Sequence, residues 1–96
     1  MTPAIRIEKL MSLSEQEFAA TIARLDPHSV SADGTYYFLL DSGSASVTYT
    51  PLPGVTLGGL MALPRARVAL EFEGAAEVSR ASFLKRFEFT FQRGGG

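Results

Sequence analysis

The side chains that most often carry chemistry are few in this chain, which has one histidine, His28, and no cysteine. His28 follows Asp26-Pro27 at the expected end of a helix. A general base needs an oriented partner and a pocket, and this spacing identifies neither. We therefore interpret His28 as a surface loop residue and, as the alternative, a contact for an anionic ligand.

The absence of cysteine excludes disulfides, thiolate nucleophiles and zinc fingers. With a single histidine, a transition-metal site would need several carboxylates close together. The acidic residues are instead scattered along the chain, singly or as spaced pairs. We predict no metal site, no catalytic residue and no cofactor.

Gly58 and Gly59, with Gly54 before them, suggest comparison with a glycine-rich phosphate-binding loop. That motif requires a lysine followed by serine or threonine at a helix start, and Leu60-Met61-Ala62 stands there instead. Arg65 and Arg67 follow the segment and, together with the backbone amides of the two glycines, are candidate contacts for an anion.

The most informative feature of the sequence is a segment without charge, residues 42–64. Its second half, 51–64, has prolines near both ends and glycines between them, which excludes a continuous helix. We predict an irregular apolar loop here, folded over the sheet or covering a partner. Loops of about 12–15 residues without structure of their own are often functional, so this loop is the predicted interaction surface. Its predicted contact residues are Leu52, Val55, Leu57, Gly58, Gly59, Leu60 and Met61.

The chain ends in Arg93-Gly94-Gly95-Gly96. This ending resembles the free diglycine tails of ubiquitin-like proteins and sulfur carriers, whose terminal carboxylate is adenylated and becomes a thioester or thiocarboxylate. The resemblance covers only the last glycines and implies a carrier that uses Gly95-Gly96. The β-grasp fold of that family opens with a hairpin, whereas only residues 1–13 precede the first helix predicted here. The other interpretation is a frayed tail.

Length and composition bound the class of protein. Ninety-six residues, of which 46% are hydrophobic and 20% charged, fit one globular domain. The net charge of −1 lacks the basic excess of nucleic-acid-binding domains, so we predict no nucleic-acid partner. No segment reaches the ~18 unbroken apolar residues of a membrane span, and Arg6, Glu8 and Lys9 do not suit a signal peptide. We expect a cytoplasmic protein.

The first helix is predicted over 14–25. Ser14 is its expected N-cap, and Glu17 three residues later completes a capping box. Asp26-Pro27 is expected to end the helix. The apolar face of this helix comprises Phe18, Ile22 and Leu25.

Three segments have strand patterns. Residues 35–41 and 45–50, joined by Ser42-Gly43-Ser44, predict a hairpin. The strand over 35–41 is apolar on both faces, which is typical of a central strand or one covered on both sides. Residues 66–73 alternate between apolar and polar, so we interpret their charged residues as a solvated face.

The C-terminal third has one open alternative. Residues 75–86 predict a helix, but 87–92 fit either a strand or the continuation of that helix. In the helical interpretation Phe83, Phe87 and Phe91 stack at four-residue spacing, and the absence of a turn residue before Phe87 leads us to favour it.

We therefore predict an α+β, two-layer domain over 14–93, with an antiparallel sheet of three to four strands and an N-terminal and a C-terminal helix on one face. Residues 1–13 are expected to be an appendage that pairs as a short strand or frays, and 94–96 a flexible tail.

The predicted function is a non-enzymatic binding or protein-interaction module that uses the loop 51–64. Its partner is another protein or a second copy, as in a homodimer, because exposed apolar loops and open sheet edges favour association. The alternatives are the carrier described above and a small-ligand-binding domain, with the loop as its lid and Arg65 or Arg67 as its anchor.

Overall fold

The computed structural model describes residues 5–59 and 61–93. Along the chain the elements are β1 (Ile5–Met11), α1 (Glu15–Leu25), β2 (Val30–Ala32), β3 (Thr35–Leu39), β4 (Ser44–Leu57), β5 (Met61–Glu73) and α2 (Glu77–Arg93). The strands form one antiparallel five-stranded sheet in the order β1-β5-β4-β3-β2. The α+β class is confirmed, and the sheet is larger than the predicted three to four strands.

The additional strands are the two edges of the sheet, where sequence patterns are weak. β1 pairs with β5 along its whole length, so the strand alternative for the N-terminal segment is the one observed. β2 has only three residues, too few to show an alternation. It reaches β3 through a turn at Asp33 and Gly34, whose φ angles of +52° and +80° are those of a type I′ hairpin.

Both helices pack on the same side of the sheet. The ring of Phe18 in α1 lies 5.1 Å from that of Tyr49 in β4, and Phe83 in α2 lies 5.0 Å from Phe38 in β3. The helices meet each other through Phe18 and Phe91, whose rings are 5.4 Å apart. The aromatic residues therefore join the two layers into one core.

Local hydrogen bonds explain where α1 begins. The backbone N–H of Glu17 donates to Ser14 Oγ at 3.1 Å, and the backbone N–H of Ser14 donates to Glu17 Oε1 at 3.0 Å. This reciprocal pair is the predicted capping box, which is confirmed. The hydrogen bond from the Ser14 backbone lowers the pKa of Glu17, with a further contribution from the Ser14 side chain.

α2 continues through 87–92, which confirms the helical interpretation of that segment. Phe83, Phe87 and Phe91 are buried along one side of the helix, and Phe89 is 59% exposed. The four-residue spacing places the three buried rings one after another along the same side of the helix. The ring centroids of Phe87 and Phe91 are 4.4 Å apart. Within the described residues, neither helix combines the length and apolar character needed to cross a bilayer.

The turn between β3 and β4 docks onto the start of α2. Ser42 Oγ accepts a 2.7 Å hydrogen bond from the backbone N–H of Ala76, one of the donors that a helix start leaves unpaired. Gly43 adopts a φ of +72°, and a Cβ at this position would clash with the main-chain oxygen of Glu73. Glycine is therefore required here both by conformation and by close approach.

Candidate functional site

The predicted irregular loop is in fact a β-hairpin. β4 continues through Pro51 and Pro53 to Leu57, and a turn containing Gly58 and Gly59 leads toward β5. Both glycines have positive φ, +60° and +71°, a conformation that favours glycine. The loop prediction was wrong because proline and glycine exclude a helix here but do not exclude an edge strand.

Only the half of this hairpin that is farther from its turn pairs with other strands of the sheet. β3 pairs with β4 no farther than Thr48, and β1 pairs with β5 no farther than Ala66. In the part of the chain that the structure describes, residues 51–65 pair only across the hairpin, and we call this segment the arm. The molecule measures 49 × 24 × 23 Å along its principal axes. It is therefore about twice as long as it is wide, as expected if the arm projects from the rest of the sheet.

Proline is tolerated in the arm because each proline stands at an unpaired edge. The backbone N–H of Tyr49 donates to Gly34 O at 3.0 Å, so its nitrogen faces the β3 side of β4. Pro51 and Pro53 follow at two-residue spacing and face the same side, where β3 has ended. Thr50, the residue after Tyr49, therefore faces β5, and its partner Arg67 faces β4. Pro64 lies three residues from Arg67 and so faces the outer side of β5. The missing donors make the outer edges of the arm poor templates for strand addition.

The ladder assigns five apolar residues and one charged residue, Arg65, to the same face of the arm. Residues that oppose each other in a ladder share a face, and so does every second pair along it. The pairs on this face, which we call the arm face, are Leu52↔Arg65, Val55↔Leu63 and Leu57↔Met61. It continues the side of the sheet opposite the helices, because Arg65 lies two residues from Arg67, an exposed residue between the buried Ala66 and Val68.

A β-bulge between Leu52 and Val55 produces the arm face. In a regular strand, residues three positions apart lie on opposite faces, and the extra residue of a bulge brings them to the same face. A Cβ on Gly54 would lie 3.0 Å from the main-chain oxygen of Leu63, so glycine suits this close approach. The side chains of Leu52 and Leu63 are only half-buried. The arm therefore leaves apolar surface incompletely covered.

The side of the sheet opposite the helices is the open face, and its charges are concentrated at the β1 and β5 end. There Arg6 makes ion pairs with Glu8 at 3.1 Å and with Glu71 at 2.8 Å. β3 and β4 contribute only uncharged residues, which we call the uncharged half: Thr35, Tyr37, Leu39, Ser44, Ser46, Thr48 and Thr50. Leu39 is 92% exposed and Tyr37 51%.

The uncharged half was missed from the sequence, although β3 carries a signal for it. The apolar residues on both faces of 35–41 indicated a strand that is central or covered on both sides. β3 does lie inside the sheet, but Tyr37 and Leu39 remain exposed on its second face. An interior strand with an uncovered apolar face is therefore a candidate contact surface.

The three residues predicted to contact an anion do not form one site. Arg65 lies in the arm, and Arg67 lies at the arm end of the sheet. His28 precedes β2, whose first residue pairs with Tyr37 toward the other end. Its backbone N–H donates to Asp26 Oδ1 at 2.8 Å. The sheet thus separates His28 from both arginines.

A hollow of about 490 Å³ lies at the end of the sheet away from the arm, between α1, β3 and α2. Its polar lining includes Asp26, Asp41 and Arg86, whose guanidinium carbon is 5.9 Å from the ring centroid of Phe83. None of the arm residues that the structure describes lines this hollow, so the arm is not its lid. Among the described residues, no group of three histidine or acidic side chains is placed to hold a metal ion.

Two predicted features lie outside the described residues. One is Leu60, a predicted contact residue, and the other is the tail 94–96 that carries the carrier interpretation. Comparison with known proteins gives no match to a family model, to a curated protein or to a solved structure.

Proposed function

We propose that this chain is a small, non-enzymatic protein-interaction module that contacts its partner through the arm face. The observation that carries this proposal is a hairpin without charge over 51–64 that leaves the sheet and, in the described residues, has no neighbouring strand. An isolated two-stranded hairpin is marginally stable in water. Docking on a partner would cover the arm face and stabilise the arm.

The contact is made through the face of the arm rather than its edges. Pro51, Pro53 and Pro64 deprive the edges of hydrogen-bond donors, so a partner strand would find an incomplete ladder. The arm face instead offers apolar area, worth about 25 cal/mol per Å² removed from water. A two-stranded ribbon encloses no concave site of the kind that binds small molecules, so the arm face suits a protein surface better.

The ligand-lid and carrier alternatives have less support. Among the described residues, none from the arm lines the hollow near Asp26, and a single strand, β1, precedes α1. The arm face is therefore the best-supported contact surface of this chain.

A photo-crosslinking experiment tests the proposal. Leu57→benzoylphenylalanine places the probe on the arm face, and Val78→benzoylphenylalanine places it on α2 at a residue that is 80% exposed. Each full-length variant is irradiated in an extract of its native cells, and adducts are identified by mass spectrometry. We expect a defined protein adduct at position 57 and none at position 78.

Adducts of equal yield at both positions, or none at 57, would contradict an arm-mediated contact. The variant Leu57→Asp/Leu60→Asp provides a second check by circular dichroism. Its unfolding would show that the arm is part of the core, which would also contradict the proposal.

A further inference from the structure

We propose that two copies of this chain pair through the outer edge of β1, so that their sheets join into one continuous antiparallel sheet. This contact uses a different surface from the arm face and goes beyond the proposed function.

β1 is the edge of the sheet best suited to accept another strand. It has seven residues and no proline, and in the part of the chain that the structure describes no strand pairs with its outer side. The opposite edge strand, β2, has only three residues, and the edges of the arm lose donors at their prolines. An unpaired edge as long as that of β1 is a template for strand addition.

The main-chain groups on the outer edge of β1 belong to three residues. Arg67 faces β4, so the next residue, Val68, faces its β1 partner Lys9. Main-chain groups alternate in direction along a strand, so Glu8 directs its N–H and C=O away from the sheet. The residues two positions before and after Glu8 do the same. The outer edge of β1 therefore offers the main-chain groups of Arg6, Glu8 and Leu10.

The charges of β1 select a second copy and one register for it. In an antiparallel pair of identical strands, a twofold axis brings one residue opposite its own copy. With Arg6, Glu8 or Lys9 on the axis, like charges stand directly opposite each other, which is destabilising. With Ile7 on the axis, Arg6 stands opposite Glu8 of the second copy, and the axis repeats this favourable pair. Both residues face outward, so each pair also exchanges main-chain hydrogen bonds.

The ion pairs within one copy are compatible with this arrangement. Glu8 stands opposite Ala69 in the ladder, so its direct partner carries no charge. Its carboxylate meets Arg6 of the same strand at 3.1 Å, while Arg6 also donates to Glu71 at 2.8 Å. In the pair of copies, each guanidinium lies between Glu71 of its own chain and Glu8 of the other. A strand without matching charges would instead be disfavoured at this edge.

The helix layer has an incompletely covered flank above the same edge. Glu88 of α2 accepts a 3.2 Å hydrogen bond from Lys9 Nζ, so this side of α2 faces β1. Leu84, one turn earlier on the same side, is only half-buried and lines a hollow of about 510 Å³ along α2. Ile5 and Ile7 are also only half-buried, although they face the helix layer. A second copy beside β1 would cover these apolar side chains further.

The same twofold axis leaves both arm faces uncovered. It is normal to the sheet, so the open faces of the two copies adjoin on one side and their α2 helices on the other. Each arm leaves its own sheet where β4 and β5 pass the ends of β3 and β1, and the axis points the two arms in opposite directions. The pair of copies therefore presents two arm faces on one side of the joined sheet.

A charge-exchange experiment tests the pairing. Arg6→Glu and Glu8→Arg each place like charges opposite each other across the axis, and masses are measured by sedimentation velocity over a concentration series. We expect the wild type to dimerise and each variant alone to dissociate at least about tenfold more readily. An equimolar mixture should recover a heterodimer, because every glutamate at the edge then faces an arginine. The double variant Arg6→Glu/Glu8→Arg should recover a homodimer for the same reason.

Arg67→Glu is the matched control, since it makes the same change of charge at an exposed residue of the open face that lies one strand away from the edge. It should leave the dimer intact. Near-ultraviolet circular dichroism confirms that each variant is folded.

A cysteine experiment tests the register, because the chain has no cysteine of its own. Ile7→Cys places a thiol on the axis in a pair that is not hydrogen-bonded, where the two Cα atoms are about 4.5 Å apart and suit a disulfide. Leu10→Cys is the control, since Leu10 is 64% exposed but does not meet its own copy. Under mild oxidation we expect Ile7→Cys to form disulfide-linked dimers faster than Leu10→Cys.

Several outcomes would overturn the pairing. A wild type that stays monomeric at every concentration would do so, and so would a mixture of the two charge variants that remains monomeric while both are folded. Faster oxidation of Leu10→Cys than of Ile7→Cys would contradict the register. None of these results affects the proposed function, which the adduct at position 57 tests on a separate surface. A dimer that survives both charge reversals but is lost in Leu57→Asp would overturn the pairing and assign the contact between copies to the arm.

Discussion

The phenolic O–H of Tyr49 donates a 2.9 Å hydrogen bond to the main-chain oxygen of Leu13. Tyr49 is the last buried residue of β4 before the arm, and Leu13 is the buried residue that leads into α1. The bond therefore connects the base of the arm to the start of the helix layer. Both groups are buried, so removing one of them leaves the other without a hydrogen-bond partner and lowers stability.

Tyr49→Phe should lower the free energy of unfolding by about 1 kcal/mol, because the buried carbonyl of Leu13 loses its donor. Urea denaturation measures this as a lower midpoint with an unchanged slope. Tyr37→Phe is the control, since Tyr37 is half-exposed on the open face and should change stability little. Equal effects of the two substitutions would contradict a specific role for the Tyr49 bond.

The same tyrosine predicts a loss of stability at alkaline pH. Burial raises the pKa of Tyr49 above its ordinary value of 10.0, and the charges of Glu15 and Glu17 raise it further. The unfolded chain thus releases this proton first. The stabilisation is complete below pH 10 and is lost as the pH rises through the folded-state pKa. Unfolding midpoints between about pH 8 and 11 should fall less steeply for Tyr49→Phe than for the wild type. Parallel curves would contradict the assignment.

Two glycines with similar backbone angles should respond differently to alanine. Gly43 and Gly58 have φ angles of +72° and +60°, so alanine is strained at either position. A Cβ on Gly43 would clash with the Glu73 main chain, whereas a Cβ on Gly58 would have no described neighbour within 4 Å. We expect Gly43→Ala to cost about 2–4 kcal/mol and Gly58→Ala at most about 1 kcal/mol in urea denaturation. Similar losses of stability in the two variants would show that backbone strain, and not the clash at Gly43, determines the effect of alanine.

The capping box predicts an acid-dependent term in stability. Because its hydrogen bonds with Ser14 lower the pKa of Glu17 below 4.5, the folded state favours the ionised carboxylate. This stabilisation is present above the unfolded-state pKa and is lost as the pH falls through the folded-state pKa. Glu17→Gln should remove that part of the acid dependence of the unfolding midpoint. Glu15→Gln, in the same helical turn but outside the capping box, is the control, and identical profiles for both variants would contradict the prediction.

The prolines of the arm should protect its outer edge. Pro51→Thr/Pro53→Thr restores two outward N–H donors beside a stretch without charge, which completes a template for strand addition. We expect this variant to form large assemblies that bind thioflavin T and raise static light scattering. Pro27→Thr, at an exposed position between α1 and β2, is the control and should not. A double variant with the mass of the wild type would show that the prolines have no protective role.

The helices of this protein were predictable from its sequence because their signals are local. Ser14 and Glu17 lie within one turn of each other, so their reciprocal hydrogen bonds depend on no distant residue. Phe83, Phe87 and Phe91 form an apolar stripe through helical spacing alone. The β3–β4 hairpin is similarly local, since a short turn joins two adjacent strand patterns.

The arm was only partly predictable. The absence of charge over 51–64 identified the segment, but its form as a hairpin depends on where β1 and β3 end. Proline breaks a strand that has neighbours on both sides and is tolerated at an edge, so its effect is set by pairing far away in the chain. The arm face likewise depends on a bulge at Pro53-Gly54 that shifts the alternation.

The sequence by itself therefore determined the helices, the β3–β4 hairpin and the location of an uncharged segment, because each depends on residues close together in the chain. Only the tertiary structure decided that this segment projects as an arm and that Tyr37 and Leu39 lie on an open face. The physical reason is that strand edges and uncovered faces are defined by which other elements pack against them. Apolar periodicity shows that a residue can be buried, and the assembled layers decide whether anything buries it.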